Sequence, residues 1–197
     1  MNQIFLSTNL SKLLSFTPST KAVSEVAVVE APSTWEQAKS VSAYATNLYL
    51  LDSINGLVMK HVARDSGYSK GSGYADTKKI SLKDAVDLAV DGNIYVLKAD
   101  GTTAKFVKGA WDPDFSLKGI PSPDSQIIEP SKIFTDDTTN NIFVLDKAKN
   151  RVIKFDKAGD YLNQYIFDNV SIDDFVVNTK LQKIWILSEG KIYEGSL

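Results

Sequence analysis

Several things that the chain lacks limit its chemistry. The 197 residues contain no cysteine, which excludes disulfides and thiolate metal sites. His61 is the only histidine, so a histidine-based metal site or a Ser-His-Asp triad would depend on a single residue. The formal net charge of -2 argues against a nucleic-acid-binding protein, which would carry a basic stripe. No apolar run approaches the ~18 residues that a membrane-spanning helix needs.

What the chain does contain is a short apolar segment that recurs five times. Each copy has an aromatic residue at its second position, and the copies are 42 to 48 residues apart; the aromatic residues are Phe5, Tyr49, Tyr95, Phe143 and Trp185. Short apolar strands at a period of about 40–45 residues are typical of propeller blades, whereas helical repeats would show a 3.6-residue period. We therefore predict an all-β protein, a β-propeller of about five four-stranded repeats of ~45 residues.

The repeats divide the chain into one domain covering residues 1–197. Their approximate limits are residues 1–32, 33–80, 81–125, 126–169 and 170–197. The first and last repeats each appear one strand short, and an open ring would leave unpaired edges. Two solutions are expected. Either the strand near residues 23–29 completes the last blade, or the propeller is partial and two copies associate as a homodimer.

The third repeat shows the local signals most clearly. Ile94-Tyr95-Val96-Leu97 is apolar on both faces, as expected of a strand between two packed layers. Asp91-Gly92-Asn93 and Asp100-Gly101 flank it, and Gly and Asn tolerate the positive φ of tight hairpin turns. The Gly-, Ser- and Lys-rich residues 64–79 are predicted to form a flexible loop inside the second repeat. Residues 114–117 are predicted to be the outer strand of the third repeat. Residues 33–39 carry the start signals of a short helical turn.

Three groups of acidic residues are candidate oxygen ligands for a cation. They are Asp112 with Asp114, Asp136 with Asp137, and Asp173 with Asp174. None has the spacing of an EF-hand loop, and residues 136–141 are better explained as a hairpin tip, because Asp and Asn side chains hydrogen-bond their own backbone. We predict no metal site and no cofactor.

The aromatic residues divide into a core set and a remaining set. Those at the second position of the repeats are predicted to be core rather than a sugar-stacking ring. Aromatic residues outside that register are available for binding, and loops on a rigid scaffold are where binding residues collect. The predicted ligand-binding residues are Tyr68, Tyr74, Trp111, Asp112 and Asp114.

Several segments resemble a known family. The best of them is SLKDAVDLAVDGNIYVLK at residues 81–98, and the others are residues 114–119, 130–135, 142–156 and 191–194. They resemble the C-terminal propeller region of PPM-type phosphatase-domain proteins from candidate-phyla-radiation bacteria, with NHL-like repeats. The resemblance implies a bacterial sensing or anchoring propeller joined to a phosphatase, with an extracytoplasmic location if it holds. This chain contains no phosphatase domain, so no functional residue is carried over.

The functional expectation is a binding, sensor or scaffold module without enzymatic activity, part of a larger phosphatase-linked protein. Its partner is a protein or a small molecule, with no nucleic acid and no membrane span in this chain. The alternative is a carboxylate-dependent enzyme of hydrolase type, with its site at the mouth of the propeller channel. Acidic side chains that converge on one concave pocket there would favour the alternative.

Overall fold

A computed structural model describes residues 4–7, 13–28 and 38–197. Regular structure within these ranges is almost entirely β-strand, and the helical structure among them is a single 3₁₀ turn at Lys147–Lys149. None of the helices within these ranges is long and apolar enough to cross a membrane. The strands form five antiparallel sheets of three or four strands, together with a two-stranded hairpin.

The sheets follow one another along the chain. Sheet 1 consists of β1 (Ile4–Ser7), β2 (Leu13–Thr17) and β3 (Ala22–Val26). Sheet 2 begins with β4 (Ala38–Tyr44), β5 (Asn47–Asp52) and β6 (Leu57–His61). A hairpin of β7 (Ala63–Arg64) and β8 (Gly67–Tyr68) follows, and β9 (Ser72–Gly73) then adds the fourth strand of sheet 2.

The remaining three sheets have the same meander order. Sheet 3 consists of β10 (Ala85–Val90), β11 (Ile94–Lys98), β12 (Thr103–Val107) and β13 (Ala110–Asp112). Sheet 4 consists of β14 (Pro130–Phe134), β15 (Asn141–Asp146), β16 (Arg151–Asp156) and β17 (Tyr161–Ile166). Sheet 5 consists of β18 (Asp174–Asn178), β19 (Lys183–Ser188) and β20 (Lys191–Ser196).

The sheets pack face to face in chain order, with β1, β4, β10, β14 and β18 as successive neighbours. We call the face of a sheet toward the preceding sheet its near face and the opposite face its far face. In sheets 2, 3 and 4 the far face packs toward the next sheet. Tyr95 and Leu97, on the far face of sheet 3, pack in one cluster with Ile142 and Val144 on the near face of sheet 4. Phe143, on the far face of sheet 4, packs in the same way against sheet 5. This serial packing of small sheets confirms the predicted propeller architecture.

Hairpin turns occur where glycine predicts them. Gly92 and Gly101 both have positive φ, 111° and 83°. A Cβ at Gly101 would lie 2.6 Å from the carbonyl oxygen of Ile127, so this turn needs glycine for space as well as for conformation. The turn therefore holds the start of β12 close to the segment that leads into sheet 4.

Three local predictions differ from the structure. Residues 64–79 are not simply a loop, because β9 pairs with β6 and the Tyr74 N–H donates to the Val58 carbonyl at 2.9 Å. The outer strand of sheet 3 is β13, not residues 114–117. In the first sheet, β3 pairs with β2, so this strand does not complete sheet 5. The helical turn predicted at 33–39 lies mainly outside the described residues.

Candidate functional site

A ring of polar side chains lines the channel between the first strands of the sheets. In sheets 2, 3 and 4 the first strand has a bulge just after its first residue pair. The residue that follows the bulge pairs with a buried leucine of the second strand, which is Leu51, Leu97 or Leu145. The corresponding residue of sheet 5 pairs with Leu187. We call these four register-equivalent residues the polar ring: Ser40, Asp87, Lys132 and Asp174.

The polar ring borders a cavity of about 750 Å³. Acidic and basic side chains both reach this cavity: it is also lined by Lys39, Asp136, Lys147 and Asp173. Its wall also carries aliphatic side chains, among them Val41, Leu88 and Ile133, and, within the described part of the chain, one aromatic side chain, Phe134. The polar groups of the channel therefore stand in a partly apolar wall.

Neighbouring members of the polar ring are linked across the sheets. The Ser40 side chain hydrogen-bonds to Asp87, and the Ile133 N–H donates to the Asp87 carboxylate at 2.8 Å. The Lys132 ammonium donates to Asp174, joining sheet 4 to sheet 5. These links hold the ring side chains in place before any ligand arrives.

Asp87 has the most perturbed environment in the ring. Burial raises the pKa of its carboxyl, and the hydrogen bonds from Ser40 and Ile133 oppose that shift only in part. Next to the ring, the Ser131 hydroxyl oxygen is buried and has no hydrogen-bond partner in the part of the chain that the structure describes. An unsatisfied buried hydroxyl is costly, so Ser131 offers one unused polar contact in the channel wall.

A second concavity lies away from the channel, between sheet 3 and the segment leading into sheet 4. It has a volume of about 460 Å³ and shares no lining residue with the channel cavity. We call it the outer pocket. Its wall includes Trp111, Leu117, Ile120 and Ile127, so much of its surface is apolar.

The charged groups at the edge of the outer pocket are already paired. The Lys98 ammonium lies 3.2 Å from an Asp84 carboxylate oxygen and 3.8 Å from an Asp100 oxygen. Asp100 also accepts a hydrogen bond from the Thr102 hydroxyl, which lowers the pKa of its carboxyl. The edge is thus electrostatically satisfied without a charged ligand.

Thr103 is the exception in the outer pocket. It is only 6% exposed, and its buried hydroxyl oxygen has no hydrogen-bond partner among the described residues. The register-equivalent residues, each paired with a far-face leucine, are Val58 in sheet 2, Val152 in sheet 4 and Ile192 in sheet 5. Sheet 3 therefore carries a hydroxyl where every counterpart is aliphatic.

The predicted ligand-binding residues do not form one site. Trp111 lines the outer pocket, whereas Asp112 lies 3.9 Å from the Lys105 ammonium and accepts a hydrogen bond from the Asp114 N–H. Tyr74 packs edge-on against Tyr49, and Tyr68 packs beside the apolar cluster of sheet 2. Their assignment as ligand-binding residues stays a prediction.

His61 is part of the interior of sheet 2. It is fully buried, and its Nδ1 lies 2.9 Å from the Ser69 carbonyl oxygen. Burial lowers the pKa of its imidazole. Within residues 4–7, 13–28 and 38–197, no group of three His, Asp or Glu side chains could hold a metal ion.

Sequence reasoning missed the polar ring and Thr103. The ring depends on bulges, which shift the register by one residue and leave no distinct mark in the sequence. Thr103 did leave a signal, because aligning the third strands of the repeats places it against Val58 and Val152.

Comparison with known proteins adds information at the level of the fold. No protein-family model and no curated protein sequence matches the chain. Among solved structures, virginiamycin B lyase from Staphylococcus aureus aligns with a TM-score of 0.57 and 11% identity, over 100% of this chain and 67% of that one. A protein assigned as a 6-phosphogluconolactonase from Bacteroides uniformis aligns at 0.62 and 13%, over 94% and 60%. A nidogen/laminin complex aligns at 0.62 and 12%, over 94% and 69%.

These similarities correct one expectation and leave another without support. The chain spans about two thirds of the length of these neighbours. The prediction that the protein is not an enzyme is contradicted, since a lyase and a lactonase with this fold are among the neighbours. The comparisons also give no support to the phosphatase relationship or to a candidate-phyla-radiation origin. At 11–13% identity the similarity establishes the fold alone, and the chain is a β-propeller in fold.

Proposed function

We propose that the protein is a β-propeller module that binds a small polar ligand in its channel, at the polar ring. The observation that carries this proposal is that register-equivalent positions on four sheets present polar side chains to one cavity. Concave sites with a few convergent polar groups are where ligands bind most often. Because the ring contains Lys132 as well as Asp87 and Asp174, the ligand carries both hydrogen-bond donors and acceptors.

Saturation-transfer NMR with a mixture of amino acids and other small dipolar metabolites tests this proposal. We expect signals with the natural chain and their loss in Lys132→Met, which removes the ammonium from the ring. The matched control is Lys118→Met, which breaks an exposed ion pair with Asp160 elsewhere on the surface. Compounds that bind equally well to Lys132→Met would contradict the channel as the site, and so would an absence of binding to the natural chain.

A second candidate function is acid–base catalysis of hydrolytic type in the same channel. The observation favouring it is that Asp87, Asp136 and Asp174 line one cavity. Burial also raises the pKa of Asp87, and a carboxyl that keeps its proton to higher pH can act as a general acid. Turnover of a panel of nitrophenyl esters and glycosides, measured against pH, is the test. Hydrolysis should disappear in Asp87→Asn, and an unchanged rate in that variant would reject this candidate.

Two further proposals concern the surroundings of the module. On the resemblance of residues 44–197 alone, we propose that ligand binding by this module is signalled to an attached bacterial phosphatase domain.

We also propose that the chain forms homodimers through sheet 5, whose far face exposes Val176 and Ile192. Lys183 and Glu194 lie at the edge of that face. A basic and an acidic side chain there can each meet the opposite charge on a second copy. Light scattering giving only 21.7 kDa at micromolar concentration would exclude the dimer.

A further inference from the structure

A small concavity beside sheets 2 and 3 is lined by three lysines and, within the described part of the chain, by no carboxylate. We call it the lysine cleft. Its volume is about 350 Å³, and its walls are the turn between β5 and β6 and residues 77–83, which lead into β10. The three lysines are Lys78, Lys79 and Lys83, and each is exposed. A Cβ placed on Gly56 would lie 3.3 Å from the Lys83 Cγ, so the two walls meet closely.

The ammonium groups of the lysine cleft are unpaired. None of them forms an ion pair with a residue in the ranges 4–7, 13–28 and 38–197. The acidic side chains nearby have other surroundings: Asp52 is fully buried, and the Asp84 carboxylate lies 3.2 Å from the Lys98 ammonium. Asp76 is exposed and accepts a hydrogen bond from the backbone N–H of Lys78. The cleft therefore presents positive charge that the protein itself does not neutralise.

The fold does not require lysine at these positions. Counted from the first paired residue of β10 and of β14, Asp124 and Ile128 occupy the positions of Lys79 and Lys83 in the next repeat. The channel cavity also differs, because its lysines are accompanied by four aspartates. Like charges that share one small space repel one another, and an anion that enters the space relieves this repulsion.

We propose that the lysine cleft binds a small phosphate ester, with its three lysines as the residues that contact the phosphate. A phosphate ester carries a charge of about −1.5 to −2 and three strong acceptor oxygens, so it can meet several ammonium groups at once. The exposed Ser81 hydroxyl lines the same cleft; its oxygen accepts a hydrogen bond from the Lys83 N–H at 3.4 Å, and its proton can be donated to a phosphate. Ile80, which is half-buried, supplies apolar surface for the organic part of the ester.

An amide chemical-shift titration by NMR tests the proposal. The probes are inorganic phosphate, pyrophosphate and glycerol phosphate, with sodium chloride added so that the ionic strength stays constant. We expect saturable shifts at Gly56 and at residues 77–83 of the natural chain. Replacing Lys79 and Lys83 together by glutamine should weaken binding about tenfold or more, since hydrogen bonds between charged groups are lost. Replacing the same two residues by arginine should preserve binding, because the charges remain.

The matched control replaces Lys21 and Lys180 together by glutamine. Both are exposed and lie outside the lysine cleft, and their replacement removes the same amount of positive charge. This control should bind the probes as tightly as the natural chain. Thermal unfolding of every variant checks that it is folded.

Different outcomes would overturn the proposal. Absence of saturable shifts at residues 77–83 with all three probes would reject the site, and so would equal affinity in the natural chain and the Lys79 and Lys83 double variant. Equal weakening in the control variant would show attraction by net charge alone. Lipid headgroups offer the same phosphate chemistry, so sedimentation with phosphatidic acid vesicles is the second arm. Binding to these vesicles without binding of the soluble probes would reject a small-molecule site. The lysine cleft shares no lining residue with the channel cavity, so these outcomes leave the channel site untouched.

Discussion

The far faces of sheets 4 and 5 carry similar residues in the same register but differ in what covers them. Leu145 and Val152 of sheet 4 are both 0% exposed, because sheet 5 packs against them. Their counterparts in sheet 5, Leu187 and Ile192, are 38% and 73% exposed. Whether a far-face residue belongs to the core is therefore decided by the next sheet rather than by its own strand.

The central aromatic residues show how this difference extends to side-chain chemistry. In sheets 2, 3 and 4 the aromatic residue pairs with a lysine of the third strand, whose ammonium lies 5.7–5.9 Å from the ring; the lysines are Lys60, Lys105 and Lys154. In sheet 5 the equivalent residue is Glu194, which accepts a hydrogen bond from the Trp185 indole at 3.1 Å. The aromatic residue of the uncovered face thus hydrogen-bonds to its cross-strand partner, whereas in sheets 2, 3 and 4 the cross-strand partner is a lysine beside the ring.

The largest expected effect is the contrast between the aromatic residues of these two faces. Phe143→Ala should lower the free energy of unfolding by roughly 3–5 kcal/mol, because it opens a cavity between two sheets, and Tyr95→Ala should do the same. Trp185→Ala should cost about 1–2 kcal/mol, since a half-buried side chain loses less contact with the protein. Urea denaturation measures all three. Equal losses for Phe143→Ala and Trp185→Ala would break the comparison.

The residues that flank the turn between the second and third strands give a stability loss of similar size. Arg151 is buried and donates two hydrogen bonds to the buried Asp146 carboxylate, at 3.0 and 2.9 Å. Arg151→Met should cost about 3–5 kcal/mol, because it leaves that carboxylate buried without its partner. In sheet 5 the same pair of positions holds Ser188 and the exposed Lys191. Lys191→Met should leave the urea midpoint unchanged, and a comparable loss would contradict this explanation.

The smallest expected effect concerns pH and the polar ring. The folded protein raises the pKa of Asp87 above its ordinary value of 3.8, so between the two values the folded state binds more protons than the unfolded chain. Stability therefore falls as pH rises through that window. Asp87→Asn cannot ionise, so its stability relative to the natural chain should improve from acidic to neutral pH. The equivalent Asp174 is half-exposed, and Asp174→Asn serves as the control.

Urea denaturation at a pH below 3.8 and at neutral pH measures this difference for both variants. A difference between Asp87→Asn and the natural chain that stays constant with pH would contradict the raised pKa. A shift of equal size in Asp174→Asn would show that the effect does not depend on burial between sheets.

Much of the fold could be predicted from the sequence because each repeat carries its own signals. Apolar runs with an aromatic second residue identify the second strands, and the glycines of the turns fix where they end. The strand predicted at Ile94-Tyr95-Val96-Leu97 agrees with β11. Residues 64–79 could not be assigned correctly, because β9 is only two residues long and is formed by pairing with β6 rather than by its own sequence pattern.

The candidate site could be predicted much less well, since it depends on contacts between repeats. The polar ring forms only because the bulges bring its residues into the same register. These residues are Ser40, Asp87, Lys132 and Asp174, and because they differ in type, no repeated residue marks the ring in the sequence. Trp111 was predicted as a binding residue from its position outside the repeat register, and it does line a pocket. Tyr74 has the same sequence property, but it packs against Tyr49.

The central claim is that coverage by the next sheet, not residue type, makes a far-face residue part of the core. Leu145→Ala and Leu187→Ala test it most directly, because the substitution is identical and the two positions are equivalent in register. We predict a loss of about 2–5 kcal/mol for Leu145→Ala and less than about 1 kcal/mol for Leu187→Ala, measured by urea denaturation. Losses of equal size in a sample that light scattering shows to be monomeric would contradict the account, because in a monomer no second copy covers the sheet 5 face.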